Sequence, residues 1–168
     1  MLRKTLPFIV ALCLACTPAL AWEAQVVRVT DGDTLVVART ETGKQVRIRL
    51  YGIDCPEGRG RTWQPQPYSR VATDFVKKLL PGGTRVAVID MDRDKYGRTV
   101  AGIVKLPDGT VVQEALLAAG LAWVYPKYCP RCEAWTKIQD MARQNRDGLW
   151  HDTSPIPPWE WRHGERDE

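Results

Sequence analysis

Val46-Arg47-Ile48-Arg49-Leu50 alternates apolar and basic residues with a period of two, the pattern of a half-buried strand. On such a strand Ile48 and Leu50 face one side and Arg47 and Arg49 the other. The sheet itself, and no loop, therefore places at least one arginine. Upstream, Trp22 to Ala38 reads as two strands. Val27 and Val29 alternate with polar residues, Asp31-Gly32-Asp33-Thr34 turns the chain, and Leu35-Val36-Val37 runs on. A second turn from Thr40 to Gly43 leads back to Val46, so the three strands form a meander.

Downstream, Tyr68, Val71, Ala72, Phe75, Val76, Leu79 and Leu80 follow helical spacing, ended by Pro81-Gly82-Gly83. Arg85 to Ile89 and Thr99 to Leu106 read as two more strands. Val111 to Ala119 is a short helix stopped by Gly120. Ala134, Trp135, Ile138, Met141 and Ala142 mark a third, with Gly148 as its C-terminal stop. Three strands, a helix, two strands and two helices predict an α+β, mainly β domain: a five-stranded barrel of the oligonucleotide/oligosaccharide-binding type with three helices.

Three parts follow from this. Residues 1–21 carry Arg3 and Lys4, an uncharged apolar run from Leu6 to Ala15, and the small-x-small stretch Ala19-Leu20-Ala21, which together read as a secretory signal peptide cut after Ala21. A retained anchor and a lipid-modified Cys16 are the weaker alternatives: the run is short for a span, and the residues before Cys16 fit a lipid site poorly. Residues 22–150 form the domain. Residues 151–168 are a tail rich in proline and tryptophan (Pro155, Pro157, Pro158, Trp159, Trp161), expected to pack over the barrel as extended chain, with Gly164 to Glu168 frayed. The expected product is exported, periplasmic or secreted, with no membrane partner, and monomeric.

Loss of Arg3 and Lys4 lowers a net charge of only +4, so charge alone does not point to nucleic acid. Of five cysteines, Cys55, Cys129 and Cys132 lie beyond the signal. Cys129-Pro-Arg-Cys132 lacks zinc partners at the right spacing and a thioredoxin-like βαβ setting. A structural bridge with one leftover thiol is the better reading, and the sequence leaves open which thiol that is.

Three segments gather acids and arginines beside glycine: Asp31-Gly32-Asp33-Thr34, Arg49 through Glu57, and Asp94-Lys95-Tyr96-Gly97-Arg98. Phosphodiester hydrolysis needs such groups. Its transition state gathers negative charge that a hard cation on oxygen ligands and arginine forks can stabilise, and its water needs a carboxylate to orient or deprotonate it. Asp33, Asp54 and Glu57 can supply oxygens, and Arg49 and Arg98 bidentate donors. Taken singly, each segment is an ordinary turn or hairpin. Jointly, in this order around these strands, they are specific.

The chain from about Val27 to Trp150 resembles the staphylococcal (micrococcal, thermonuclease-type) nucleases. Asp31-Gly32-Asp33-Thr34 is similar to that family's first calcium segment. Arg49 followed by Asp54-x-Pro56-Glu57 has the spacing of its arginine, calcium aspartate and glutamate, and Asp94-Lys95-Tyr96-Gly97-Arg98 matches its second arginine segment. Phe75-Val76-Lys77-Lys78, Asp108-Gly109, Glu114-Ala115-Leu116, Gly120-Leu121-Ala122 and Leu149-Trp150 recur as framework. The resemblance implies a Ca2+ ion on Asp33, Asp54 and the main-chain carbonyl of Cys55. It implies Glu57 on the attacking water, Arg49 and Arg98 on the scissile phosphate, and Lys95 and Tyr96 on a neighbouring phosphate. It also implies cleavage of DNA and RNA with little sequence preference, leaving 3′-phosphates.

Two departures stand out. Cys55 replaces the family's threonine, a change that a main-chain ligand survives. Trp123-Val124-Tyr125-Pro126-Lys127-Tyr128 aligns ambiguously with the base-binding wall, leaving Tyr125 and Tyr128 either as stacking residues or as packing at the barrel edge. The competing functions are a catalytically dead barrel that binds nucleic acid or protein, and a redox or metal domain centred on Cys129 and Cys132. A binding module has no physical reason to keep converging acids, which repel phosphate without a cation.

Overall fold

The computed structural model describes residues 21–60 and 64–164. Of the expected signal segment 1–21, residues 1–20 lie outside them, as do the last four residues of the tail. Strands β1 (Ala21–Asp31), β2 (Thr34–Arg39) and β3 (Gln45–Leu50) form the expected antiparallel meander. After a two-residue strand β4 (Ile53–Asp54) and helix α1 (Ser69–Leu79), β5 (Arg85–Arg93) and β6 (Thr99–Lys105) form a hairpin. The order β1-β2-β3-β6-β5 closes into a barrel, with β5 returning to β1 and β3 running parallel to β6. Closure leaves none of these five strands with a free edge.

The alternation read in the sequence fills the barrel. Ile48 and Leu50 of β3 are buried while Arg47 stands exposed on the other face. Val86 and Val88 of β5 and Ala101 and Ile103 of β6 complete the same core. Helix α1 caps it through Ala72 and Val76, and helix α2 (Val112–Ala118) through Leu116 and Leu117. Strand β7 (Trp123–Val124) pairs with β4, and helix α3 (Glu133–Asn145) packs against α2. No helix among the described residues is long and apolar enough to cross a membrane.

Two expectations are corrected here. Helix α3 does not run to Gly148; it stops at Asn145, and Arg146 takes the left-handed conformation at its end. Gly148 is glycine for a different reason: a Cβ there would lie 2.3 Å from the Gly120 carbonyl oxygen, so the two turns touch backbone to backbone. Nor is the tail wholly extended. After a 3-10 turn (Gly148–His151) the chain bends at 152–154 and runs without regular structure to Pro157, where Pro158 starts a short helix, α4 (Pro158–Trp161).

Among the described residues Cys129 and Cys132 form a disulfide, at the entry to α3, and Cys55 is the free, buried thiol. Burial pushes the Cys55 thiol well above its ordinary value. For the chain from Trp22 onward, thiol titration is expected to find no reactive thiol in the folded protein, one in denaturant and three after reduction. A reactive thiol in the folded state would contradict the buried position of Cys55.

Candidate active site

The acids and arginines meet at one end of the barrel because strand register puts them there. Thr34 at the start of β2 pairs with Arg49 of β3, so the Asp33 side of the turn sits against that arginine. On its other side Arg49 is in register with Val100 of the parallel strand β6, which brings Arg98 alongside. The β1–β2 turn can come this close only because Gly32 has no side chain; a Cβ would lie 2.9 Å from that of Cys55.

Arg49 lies between two carboxylates. Its Nη1 forms an ion pair with Asp33 Oδ2, and its Nη2 donates to Asp54 Oδ1. Asp33 is held further by the Thr34 hydroxyl and by the Cys55 backbone N–H, which donates to its Oδ2 at 2.9 Å. Asp54 has no exposed surface (0 %). Glu57 is fixed by its backbone: its N–H donates to Gln66 Oε1 (2.9 Å) and its carbonyl accepts from the Gln66 N–H (2.8 Å). Burial pushes the Glu57 carboxyl above its ordinary value, against the pull of Arg162.

Arg98 is steered by its own loop. Its Nε donates to Asp94 Oδ2 (2.6 Å) and its Nη1 reaches the Thr34 hydroxyl (3.3 Å). Burial works to raise the Asp94 carboxyl, but hydrogen bonds from Arg98 and from the backbone of Arg98 and Tyr96 outweigh it and hold it below its ordinary value. Lys95 and Tyr96 project from this loop, Tyr96 being 72 % exposed with the Arg98 guanidinium 5.6 Å over its ring.

The structure thus brings Asp33, Arg49, Asp54, Cys55 and Glu57 together and sets Arg98 beside them, with Lys95 and Tyr96 at the rim. Tyr125 is tied to the same region, because its N–H donates to the Gly52 carbonyl next to β4. It touches Tyr128 edge-on, with ring centres 4.8 Å apart.

Residues 47–152 match the family model described as staphylococcal nuclease homologue. The chain belongs to that family. Over 164 residues it is 42 % identical to a protein of Escherichia coli named as an uncharacterized endonuclease, covering 96 % of this chain and 99 % of that one. Over 163 residues it is 31 % identical to a micrococcal nuclease of Shigella flexneri, covering 91 % and 88 %. A staphylococcal-like nuclease of Arabidopsis thaliana is 42 % identical over 123 residues, 73 % of this chain and 35 % of that one.

Two residues of this nuclease's site are absent from the sequence-based expectation. Asp31 accepts the Asp33 backbone N–H at 3.1 Å. Burial raises its carboxyl above the ordinary value, opposed by Thr34 and Arg49. The alternation of charge in Asp-Gly-Asp could have nominated both acids; the expectation took one. The other is Arg162, just after α4, whose fork donates to Asp54 and pairs with Glu57. It lies beyond the residues that the family model covers, in a tail that reads by itself only as proline and tryptophan packing.

Among the described residues, no three His, Cys, Asp or Glu side chains form a group that could hold a metal ion as they stand. The acids are turned onto guanidiniums instead. Their chemistry nevertheless fits a hard divalent cation. Asp31, Asp33, Asp54 and Glu57 are oxygen donors; among the described residues Arg49 and Arg162 pair with three of them, and Asp31 makes no ion pair. Asp33 and Asp54, linked through Arg49, are the pair that could hold it.

Proposed function

We propose that this chain is an exported, calcium-dependent endonuclease that hydrolyses phosphodiester bonds of DNA or RNA with little sequence preference. Its family membership makes it a nuclease and a hydrolase; the metal, the export and the residue roles are our reading. One observation carries it: Arg49 joins Asp33 to the fully buried Asp54, Arg162 joins Asp54 to Glu57, and Arg98 lies beside this network on the Thr34 hydroxyl.

In this reading Asp33 and Asp54, with the main-chain carbonyl of Cys55, hold Ca2+. When bound, the ion polarises a phosphoryl oxygen and offsets the charge that develops there. Glu57 takes the proton of, or positions, the water whose oxygen attacks phosphorus. Arg49 and Arg98 donate to the non-bridging oxygens, more strongly as their charge grows. The P–O5′ bond breaks, the leaving oxygen takes up a proton, and a 3′-phosphate remains. Lys95 and Tyr96 contact the neighbouring phosphate, and Tyr125 and Tyr128 offer faces to a base.

Digestion of plasmid and of denatured DNA by the purified chain is the test. Cleavage is expected with calcium, to vanish with a chelator and to return when calcium is restored. Full activity in chelator would sink the calcium mechanism. Export predicts that protein recovered outside the cytoplasm begins at Trp22; a mature chain that still begins at Met1 would overturn it.

A further inference from the structure

Helix α4 reaches the acid cluster from outside the segment matched by the family model. Trp159 and Arg162 are three residues apart, a spacing that sets both on one helix face. That face is turned to the site. Trp159 lies flat on Tyr125, ring centres 4.8 Å apart at an interplanar angle of 5°. Arg162 enters between Asp54 and Glu57: Nη2 donates to Asp54 Oδ2 at 2.9 Å, Nη1 to Asp54 Oδ1 at 3.3 Å, and Nη1 also pairs with Glu57 Oε1. With Arg49 on Oδ1, both oxygens of the fully buried Asp54 are engaged.

The strap is pinned at two more points. Trp161 Nε1 donates to the Gln64 carbonyl (3.0 Å), and Gln66 Nε2 donates to the Ile156 carbonyl (2.6 Å). Gln66 is the residue that fixes Glu57, so the strap and the carboxylate share an anchor.

A guanidinium and a divalent cation compete for the same lone pairs and repel each other in contact. A cation that takes either oxygen of Asp54 must meet Arg162. Likewise a water on Glu57 Oε1 has to share that oxygen with the charged Arg162, which weakens it as a base, and Tyr125 cannot offer to a base the face that Trp159 covers.

We propose that Arg162 is a latch displaced by the cation. In the cation-free nuclease its fork pairs with Asp54 and Glu57 and, with Trp159 on Tyr125, keeps the strap closed over the cleft. Cation binding expels Arg162, which frees Glu57 and uncovers Tyr125. This inference rests on the calcium reading above, and its test separates the two.

Calcium is titrated calorimetrically into the full chain without nucleic acid, for wild type, R162Q, R162K and W159A. If the open strap is populated at about a tenth or less, R162Q should bind calcium about tenfold more tightly or better. R162K keeps the charge but loses the fork, so a smaller tightening is expected there. W159A, which leaves Arg162 in place but removes the stack, should also tighten binding, and it carries the test if R162Q does not fold. In wild type, calcium should speed hydrogen exchange at the amides of Glu160, Trp161 and Arg162. Equal affinity in wild type and the folded variants overturns the latch alone. So does strap exchange that calcium leaves unchanged or slows, an outcome that would make Arg162 a fixed partner of Asp54 and Glu57. Calcium binding by none of the proteins overturns the calcium reading and the latch together.

Discussion

Glu57→Gln is expected to lower kcat by about 10²–10⁴-fold, the usual worth of a positioned general base, with the protein still folded. The amide is nearly isosteric with the carboxylate, and the backbone hydrogen bonds that fix residue 57 to Gln66 do not involve its side chain. The substitution therefore removes the proton acceptor and leaves its place in the fold. The pH profile is a second readout. Burial sets the Glu57 carboxyl above its ordinary value, so the fold favours its protonated form. In wild type, kcat/KM should fall as pH drops through that raised value, and the acid limb should disappear in the variant. A variant that keeps wild-type turnover, or an acid limb that survives unchanged, would show that another group handles the water.

Arg49→Ala should reduce both turnover and stability. Removing one donor to the developing charge is worth about 10²–10³-fold in kcat. The same side chain also balances Asp33 and the fully buried Asp54. Removing one partner of a buried ion pair costs about 3–5 kcal/mol, because the other charge stays in low dielectric. The lower end of that range applies here, since Asp33 keeps Thr34 and the Cys55 N–H, and Asp54 keeps Arg162. Urea denaturation alongside single-turnover kinetics checks both halves. Arg49→Lys should recover part of the stability but little of the rate, because a lysine cannot span two carboxylates and a phosphate with a planar fork. Arg47→Ala is the control on the exposed face of the same strand. An equal loss of activity there would mean that the wrong arginine has been assigned.

The barrel was legible because its strands announce themselves locally. Alternation along Val46–Leu50 separates Ile48 and Leu50 from the arginines by simple geometry. The two-residue strands β4 and β7 are too short to carry any period, and only the folded chain places Asp54 opposite Trp123. Gly148 was misread because glycine marks a helix end and a close backbone contact equally well, and the second is a tertiary fact. The same holds for Cys55: nothing local says that its thiol is sealed under Gly32 while Cys129 and Cys132 pair.

The site divides along the same line. Asp33, Arg49, Asp54, Glu57 and Arg98 were nominated by residue type and spacing; the register of β2, β3 and β6 gathers Asp33, Arg49 and Arg98, β4 carries Asp54, and Gln66 fixes Glu57. Arg162 could not be nominated that way. Its partners precede it by 105 and 108 positions, and its neighbours in the tail read only as proline and tryptophan packing.

The parallel pairing of β3 with β6 also sets an order of events. Ile48 and Thr99 must find each other across a long stretch of chain, and contacts between distant residues form late because the loop between them has to be closed first. Until then Arg98 is nowhere near Arg49. A chain caught before barrel closure, or cut ahead of β6, has acids and arginines but no phosphate site. The nuclease is therefore inert until β6 has docked beside β3.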